Sequence, residues 1–175
     1  MLAHSTYHGG HRRFDYTGEW GAVLEVATSV SVSALARFVC GASSSQPHTL
    51  SLVSAQTKVV EASVLLEPDA PVNAAGFAFA AFTTPVTISA GKYYLLSTEV
   101  AGTDCGYGYY TDSCGGHSGG LPLMFSDIAA PVQFRGGVYK DLNGFVEMID
   151  AGGEYQRSYG PVNAVYNAVR SASAN

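Results

Sequence analysis

The sequence predicts an all-β fold, namely an antiparallel two-sheet sandwich of the jelly-roll kind in a single domain. Short segments alternate between apolar and polar residues, and turn-forming residues separate these segments. No segment of helical length shows a clean apolar stripe. A chain of 175 residues fits one domain whose core is large enough to support itself.

The alternation is clearest in residues 30–39. The side chains expected to share one buried face there are Val30, Val32, Ala34, Ala36 and Phe38. Other predicted strands are residues 19–26, 48–54, 58–66, 76–83, 92–100, 132–139 and 145–149. Residues 162–169 are predicted to form the closing strand, although their alternation also permits a short helix.

Turn-forming residues mark the ends of the predicted strands, where the chain reverses its direction. Proline interrupts the chain at Pro68 and Pro71, and the Asn-Gly pair within residues 140–144 predicts a tight hairpin. If the strands run up and down, the loops at 40–47, 67–74 and 101–120 leave the sandwich at the same end. Residues 1–13 are predicted to be an N-terminal arm, 14–170 the sandwich and 171–175 a C-terminal tail.

The composition indicates an extracellular β-protein. Charged residues make up 13% of the chain, which has 11 tyrosines, 20 glycines and only three lysines. A net charge of −5 argues against a nucleic-acid partner, since a phosphate backbone requires a basic patch. No apolar run approaches the roughly 20 residues needed to span a bilayer, so no membrane span is expected.

The cysteine count is odd, with Cys40, Cys105 and Cys114. A secreted setting favours a disulfide, and Cys105 with Cys114 is the first choice because the two residues bracket a short Gly/Tyr-rich segment. Strand parity brings Cys40 to the same end of the sandwich, so a pairing of Cys40 with either of the other two stays open.

The order of several runs resembles the β-sandwich modules of unknown function found in large secreted bacterial and algal proteins. These runs are FDYTGEWG at 14–21, HTLSLV at 48–53, FTTPVTISAGKYY at 82–94, GTD at 102–104 and SYGPVN at 158–163. Such modules sit beside carbohydrate-active enzymes or surface repeats. The resemblance therefore implies an extracellular accessory role with sugar binding. The segments at 105–114 and 115–120 depart from the family pattern.

Tyrosines cluster in one of those departing segments and predict a carbohydrate site. The candidate aromatic platform consists of Trp20, Tyr107, Tyr109 and Tyr110, joined by Tyr155 and Tyr159. Aromatic faces stack on the C–H groups of sugar rings, while Asp104, Asp112 and Asn73 are the candidate groups for the hydroxyls. The alternative is that these tyrosines are ordinary core or sheet-face residues, as in many strands.

Metal binding is a minor prediction, and no other cofactor is expected. Asp104 and Asp112 flank the tyrosine segment and are the candidate ligands for a structural calcium ion. Residues 141–144 carry a fragment of a calcium-loop pattern, but Asp, Asn and Gly there are more simply turn residues. His4, His8 and His11 lie close in sequence, which alone is weak evidence for a metal site.

Two other functions compete with sugar binding. The segment from Asp112 to Leu123 is similar to the nucleophile segment of chymotrypsin-like proteases, with Ser118 as nucleophile and His48 as the only earlier histidine outside the arm. His117 replaces the aspartate of that family, and a non-catalytic module is the better prediction. The low charge, the tyrosines and the odd cysteine also suit a self-associating structural subunit of a filament, surface layer or wall.

Overall fold

The computed structural model describes residues 11–12, 17–39, 46–74, 76–100, 109–112, 131–148, 157–159 and 162–168. For 11–12, 109–112, 157–159, 163 and 168 the description covers the backbone alone. The strands are β1 (His11–Arg12), β2 (Gly18–Val26), β3 (Val30–Phe38), β4 (His48–Ser54), β5 (Val60–Leu66), β6 (Phe77–Ile88), β7 (Gly91–Glu99), β8 (Tyr109–Asp112), β9 (Val132–Asp141), β10 (Gly144–Glu147), β11 (Arg157–Tyr159) and β12 (Val162–Ala168).

The strands form two main antiparallel sheets, which confirms the predicted sandwich. One sheet has six strands in the order β10-β9-β2-β7-β4-β5, and the other has three in the order β12-β3-β6. A smaller sheet has the order β1-β8-β11, and its strand β11 lies against β9 and β2. Residues 162–168 are a strand paired with β3, so the alternative of a short helix there is wrong.

The core lies between the two main sheets. Every second residue of β2 and β4 points into it, and the same holds for parts of β3, β7 and β12. The central members are Ala22, Leu24, Val26, Leu35, Leu50, Leu52, Leu95 and Tyr166. Full burial of one such aliphatic side chain contributes about 1.5–3 kcal/mol, so this layer is the main source of stability.

A bulge in β3 overturns the predicted face assignment of residues 30–39. Between Val32 and Ala34 the pairing with β12 skips Ser33, which has no partner in the register. Because side chains alternate along a strand, one extra residue exchanges the two faces beyond it. Val30 and Val32 therefore point into the core together with Leu35, whereas Ala34, Ala36 and Phe38 lie on the opposite face, which corrects the prediction for these three residues.

The partner strand β6 is longer than the sequence predicts, and the same bulge explains why. The expected strand ended at residue 83, but β6 continues through Pro85 to Ile88. Val86 pairs with Val32 and Ala81 with Ala34, so residues 82–85 lie opposite Ser33 alone. Proline is compatible with a strand at such an irregularity because no ladder hydrogen bond is needed from it there.

The turn between β9 and β10 is the hairpin that the Asn-Gly pair predicts. Asp141 pairs with Gly144, and the Asn143 N–H donates a hydrogen bond to Asp141 Oδ1 at 2.7 Å. Gly144 has a φ of 122°, a conformation that other residues rarely adopt. The carboxylate of Asp141 therefore stabilises the turn.

This hairpin reaches over the outer face of the six-stranded sheet. That face carries a second buried apolar cluster, made of Val23, Val53, Tyr94, Leu96 and Val138. The ring of Phe145 from β10 packs on the ring of Tyr94 with a centroid separation of 5.0 Å. Since β9 and β2 lie between β10 and β7 in the sheet, this contact requires the sheet to curl strongly at β9.

A network of lysines holds the hairpin in place. Glu147 accepts hydrogen bonds from Lys92 Nζ at 2.6 Å and from the Tyr94 hydroxyl at 2.7 Å. The same hydroxyl accepts a bond from Lys58 Nζ at 3.0 Å, and Lys140 Nζ lies 5.5 Å from the Phe145 ring centre. All three lysines of the chain therefore make contacts on the outer face of the six-stranded sheet.

Substitution of Gly21 is expected to destabilise the six-stranded sheet. A Cβ atom at this position would overlap the carbonyl oxygen of Leu95 on the neighbouring strand, so the backbone would have to move. We expect Gly21→Ala to lower the free energy of unfolding in urea by about 1–3 kcal/mol. Ser63→Thr, which adds a methyl group at an exposed strand position, is the matched control and should stay within about 0.5 kcal/mol. Equal stability of the two variants would contradict the close approach.

Buried tyrosines predict a loss of stability at alkaline pH. Burial raises the pKa of Tyr166 above the 10.0 of an exposed tyrosine. Burial, with a contribution from the charge of Glu61, also raises the pKa of Tyr93. The neutral phenol is thus favoured in the folded state, so this stabilisation is complete below pH 10 and disappears as pH rises through the raised folded-state pKa.

The measurement is the free energy of unfolding between about pH 8 and pH 11.5. Tyr166→Phe removes one of the two groups and should make the alkaline decline shallower than in the parent chain. Tyr93→Phe combined with Tyr166→Phe should make it shallower still. An unchanged decline in the double variant would show that other groups cause it.

Candidate functional site

The strand ends that flank the predicted loops at 40–47, 67–74 and 101–120 lie at one end of the sandwich. At this end His48, the first residue of β4, pairs with Leu66, the last of β5. In the other sheet, Phe38 at the end of β3 pairs with Phe77 at the start of β6. An ion pair between Arg37 and Glu99 brings the two sheets together at the same end. The segments at 40–47 and 67–74 therefore attach here, and so does the start of 101–120.

The ion pair is buried and bidentate. Arg37 Nε lies 2.9 Å from Glu99 Oε1, and a terminal nitrogen of the guanidinium lies 2.7 Å from Glu99 Oε2. Both residues are almost fully buried, with exposures of 1% for Arg37 and 2% for Glu99. The fork of guanidinium N–H groups matches the two oxygens of a carboxylate, which fixes the orientation of both side chains.

Further hydrogen bonds compensate the charges of this pair. Ser97 Oγ donates to Glu99 Oε1 at 2.8 Å, and a guanidinium nitrogen of Arg37 donates to the carbonyl of Phe38 at 3.0 Å. Removing two charges from water is costly, and the cost is offset only when such additional partners are present. The pair is thus part of a network rather than an isolated contact.

The Ser33 bulge directs Arg37 into this network. Beyond the bulge, residues 35, 37 and 39 point to the core, so Arg37 enters the space between the sheets. On β7 the inward series runs from Leu95 through Ser97 to Glu99. Without the bulge Arg37 would point outward and Phe38 inward, and the two sheets would have no charged contact at this end.

His48 is the third ionisable residue of the cluster. It is fully buried, and its Nδ1 lies 2.6 Å from the carbonyl oxygen of Thr98 and 3.9 Å from Glu99 Oε1. Since a carbonyl oxygen only accepts, Nδ1 carries the hydrogen in this contact. The hydroxyl of Thr98 accepts the N–H of Thr49 at 2.8 Å, so β4 and β7 are tied by side chains as well as by their ladder.

The geometry of this cluster gives it a structural role, which is to fix the strand ends from which the loops start. Its side chains direct their polar atoms at one another, inside the sandwich, and so hold the ends of β3, β4 and β7 in fixed positions. Sequence reasoning missed Arg37, Ser97 and Glu99, and it named His48 only in the comparison with proteases. The available signal was a lone arginine within the apolar run of β3 and a histidine opening the apolar strand β4.

Trp20 does not belong to an exposed platform. Its side chain is only 2% exposed and has the same strand parity as Ala22 and Leu24, which point into the core. A ring so deeply buried presents no exposed face in this structure, and a role of Trp20 in a carbohydrate site stays a prediction.

Asn73 organises the connection between β5 and β6. Its side-chain carbonyl accepts the N–H of Phe77 at 3.0 Å, its own N–H donates to the Phe77 carbonyl, and its carbonyl accepts the Gly76 N–H. The predicted sugar-binding oxygen of Asn73 is thus used within the turn. Its contribution to a site is to fix the backbone of the 67–74 segment.

The predicted residues Tyr109, Tyr110 and Asp112 lie in strand β8, not in a loop. Tyr110 pairs with His11 of β1 on one side and with Tyr159 of β11 on the other. Successive residues of a strand alternate between faces, so Tyr109 and Tyr110 have opposite parity. The pairing also brings residues 11–12 of the predicted arm to the tyrosine segment.

Other predicted residues lie outside the described part of the chain. These are Asp104, Tyr107, Tyr155, Ser118, the cysteines Cys40, Cys105 and Cys114, and the histidines His4 and His8. Among the described residues no group of three or more His, Cys, Asp or Glu side chains is arranged to hold a metal ion. The calcium ligands Asp104 and Asp112 and the Cys105–Cys114 disulfide stay predictions.

Comparison of the chain with protein-family models, with curated proteins and with solved structures gave no match. Across the residues described by the structure, no helix has the length and apolar character needed to cross a membrane.

Breaking the buried ion pair is expected to destabilise the fold strongly. Glu99→Gln leaves the guanidinium of Arg37 without its charged partner, and we expect a loss of about 3–5 kcal/mol in the free energy of unfolding. Arg37→Met should lower the free energy of unfolding by a similar amount. The double variant, which carries Arg37→Met and Glu99→Gln together, should lose clearly less than the sum of the two single losses.

The exposed pair between Lys140 and Glu19 provides the control. Its nitrogen–oxygen distance is 2.7 Å, as in the buried pair, but both side chains are partly exposed. Glu19→Gln should therefore cost no more than about 1 kcal/mol. If Glu99→Gln were as mild as Glu19→Gln, or if the losses in the double variant were additive, the buried pair would not act as a unit.

Proposed function

We propose that this chain is a non-catalytic extracellular β-sandwich module that binds carbohydrate at the end of the sandwich built on the Arg37–Glu99 pair. The site would combine the segments 40–47, 67–74 and 101–120 with strand β8. The observation that carries the proposal is the position of β8, which bears three of the candidate ligand residues close to this end.

The short connection between β11 and β12 supports a position of β8 near this end of the sandwich. Tyr159, the last residue of β11, is three residues before Val162, and Val162 pairs with Arg37. Three residues span at most about 10 Å, so the end of β11 lies close to the buried ion pair. Tyr110 is the direct partner of Tyr159, which brings β8 into the same region.

The residue types at this position suit a sugar. Tyrosine presents a flat apolar ring with a polar hydroxyl, which matches the C–H faces and hydroxyl groups of a pyranose. A carboxylate such as Asp112 or Asp104 accepts hydrogen bonds from those hydroxyls. A rigid base under the segments reduces the entropy lost on binding, since less of the protein has to be ordered.

A second candidate function is a structural subunit of an extracellular assembly. It is supported by a specific feature, the exposed apolar side chains on strand β5, of which Val60 is 54% and Leu65 51% exposed. This function and sugar binding use different surfaces and are tested separately.

The test of the proposed function is a glycan-array screen with calcium and again with a chelator. Selective binding is the expected result, and its loss with the chelator would place a metal among the ligands. Tyr109→Ala and Asp104→Ala should each lower affinity at least about tenfold while the unfolding transition stays unchanged.

Gln56→Ala is the matched control, because Gln56 is exposed in the turn after β4, at the opposite end of the sandwich. It should bind as the parent chain does. An array without selective binding at high protein concentration would contradict the proposal, as would full binding by both the Tyr109 and Asp104 variants.

A further inference from the structure

Strand β5 is an edge of the six-stranded sheet. Its hydrogen-bonded neighbour in the described part of the chain is β4, on one side only. Strand β6 of the other sheet lies near β5 but shares no ladder with it. An edge strand presents backbone N–H and C=O groups on its outer side, and such groups pair readily with a further strand.

The outward face of β5 is apolar and exposed. The inward residues Ala62 and Leu66 are buried in the core, whereas Val60 and Leu65 point away from it and are more than half exposed. The adjoining Val59 is also exposed. β5 contains no lysine, arginine or proline, but Glu61 is charged and exposed, and a bulge at Glu61 interrupts the pairing with β4. Since charges and bulges protect an edge strand against pairing, the unprotected part of this edge is residues 62–66.

The opposite edge of the same sheet is protected. Strand β10 has only four residues, and its side chains Phe145 and Glu147 are engaged with Tyr94 on the outer face. Two lysines also lie near the Phe145 ring. The two edges therefore differ, and residues 62–66 of β5 are the regular and uncharged segment on its side of the sheet.

We propose that β5 is a self-association surface at which two copies of this chain pair antiparallel, edge to edge. A strand is complementary to itself in this orientation, because a two-fold axis sets each donor of one copy against an acceptor of the other. The partner we assign is a second copy, because residues 62–66 are complementary in size to the same residues of another chain in this orientation.

The side chains fit such a pair when the two-fold axis passes through Val64. Ser63 of each copy then lies opposite Leu65 of the other on the outward face, and Ala62 lies opposite Leu66 on the inward face. A small residue meets a large one at each position, and residues of equal parity face each other. Glu61 and Glu67 flank residues 62–66 and lie opposite each other in this register, so salt should tighten the pair by screening their repulsion.

The experiment is sedimentation equilibrium of the full chain, with reductant present so that disulfide-linked species do not contribute. We expect a monomer–dimer equilibrium at concentrations up to about 0.5 mM. Leu65→Lys places a charge in the contact and should raise the dissociation constant at least tenfold, and Ser63→Lys should do the same. Both positions are exposed, so the fold should be retained, as the β-sheet circular dichroism will report.

Leu142→Lys is the matched control. Leu142 is fully exposed at 104% and lies in the hairpin turn between β9 and β10, at the opposite edge of the sheet from β5, and the variant makes the same change of residue there. It should dimerise as the parent chain does. A parent chain that stays monomeric at the highest concentration would overturn the proposal, and so would a dimer that survives both β5 variants. Sugar binding at the other surface is unaffected by either outcome.

Discussion

The buried Arg37–Glu99 ion pair is the constraint on which the loop-bearing end of the molecule depends. It joins the two sheets at the point where their strands end, and it is surrounded by groups that satisfy its remaining hydrogen bonds. An apolar contact of similar size would stabilise the sandwich equally well but would lack the directed hydrogen bonds that orient the two side chains. A bidentate pair fixes distance and orientation together. The segments that start from this end are thereby attached to a rigid frame.

A local irregularity makes this arrangement possible. The extra residue Ser33 costs β3 one regular pairing, yet it rotates the rest of the strand so that Arg37 faces inward. Bulges commonly direct a side chain toward a site in this way. The same irregularity lets β6 accommodate Pro85 and continue to Ile88. The single extra residue Ser33 therefore determines which side chains of β3 face the core. It also lets β6 extend to Ile88 and brings the charged Arg37 into the interior.

Period-two alternation and turn residues predict the strands well, because both are local properties of the sequence. The bounds of β4 agree with the prediction, β2 begins one residue earlier than predicted, and both ends of β7 lie one residue earlier than predicted. The alternation cannot reveal a bulge, since Ser33 looks like any other polar residue of the run, and the faces beyond it were therefore exchanged. The buried cluster was missed because Arg37 and Glu99 are 62 residues apart and meet only through the packing of two sheets. For a related reason the sequence does not reveal that Trp20 is buried, since an aromatic residue is the same in sequence whether its strand position faces the core or the solvent.

The lysine network on the outer face has a practical consequence for handling the protein. Each of its three lysines is engaged there, with the Tyr94 hydroxyl, with Glu147 or with Glu19. Amine-reactive dyes and surface-coupling reagents acylate lysine and abolish its charge, so every lysine they modify is withdrawn from this face. A protein immobilised through its lysines would carry a loosened β9–β10 hairpin. Attachment through an engineered tag keeps the hairpin intact and leaves the fold as it is in solution.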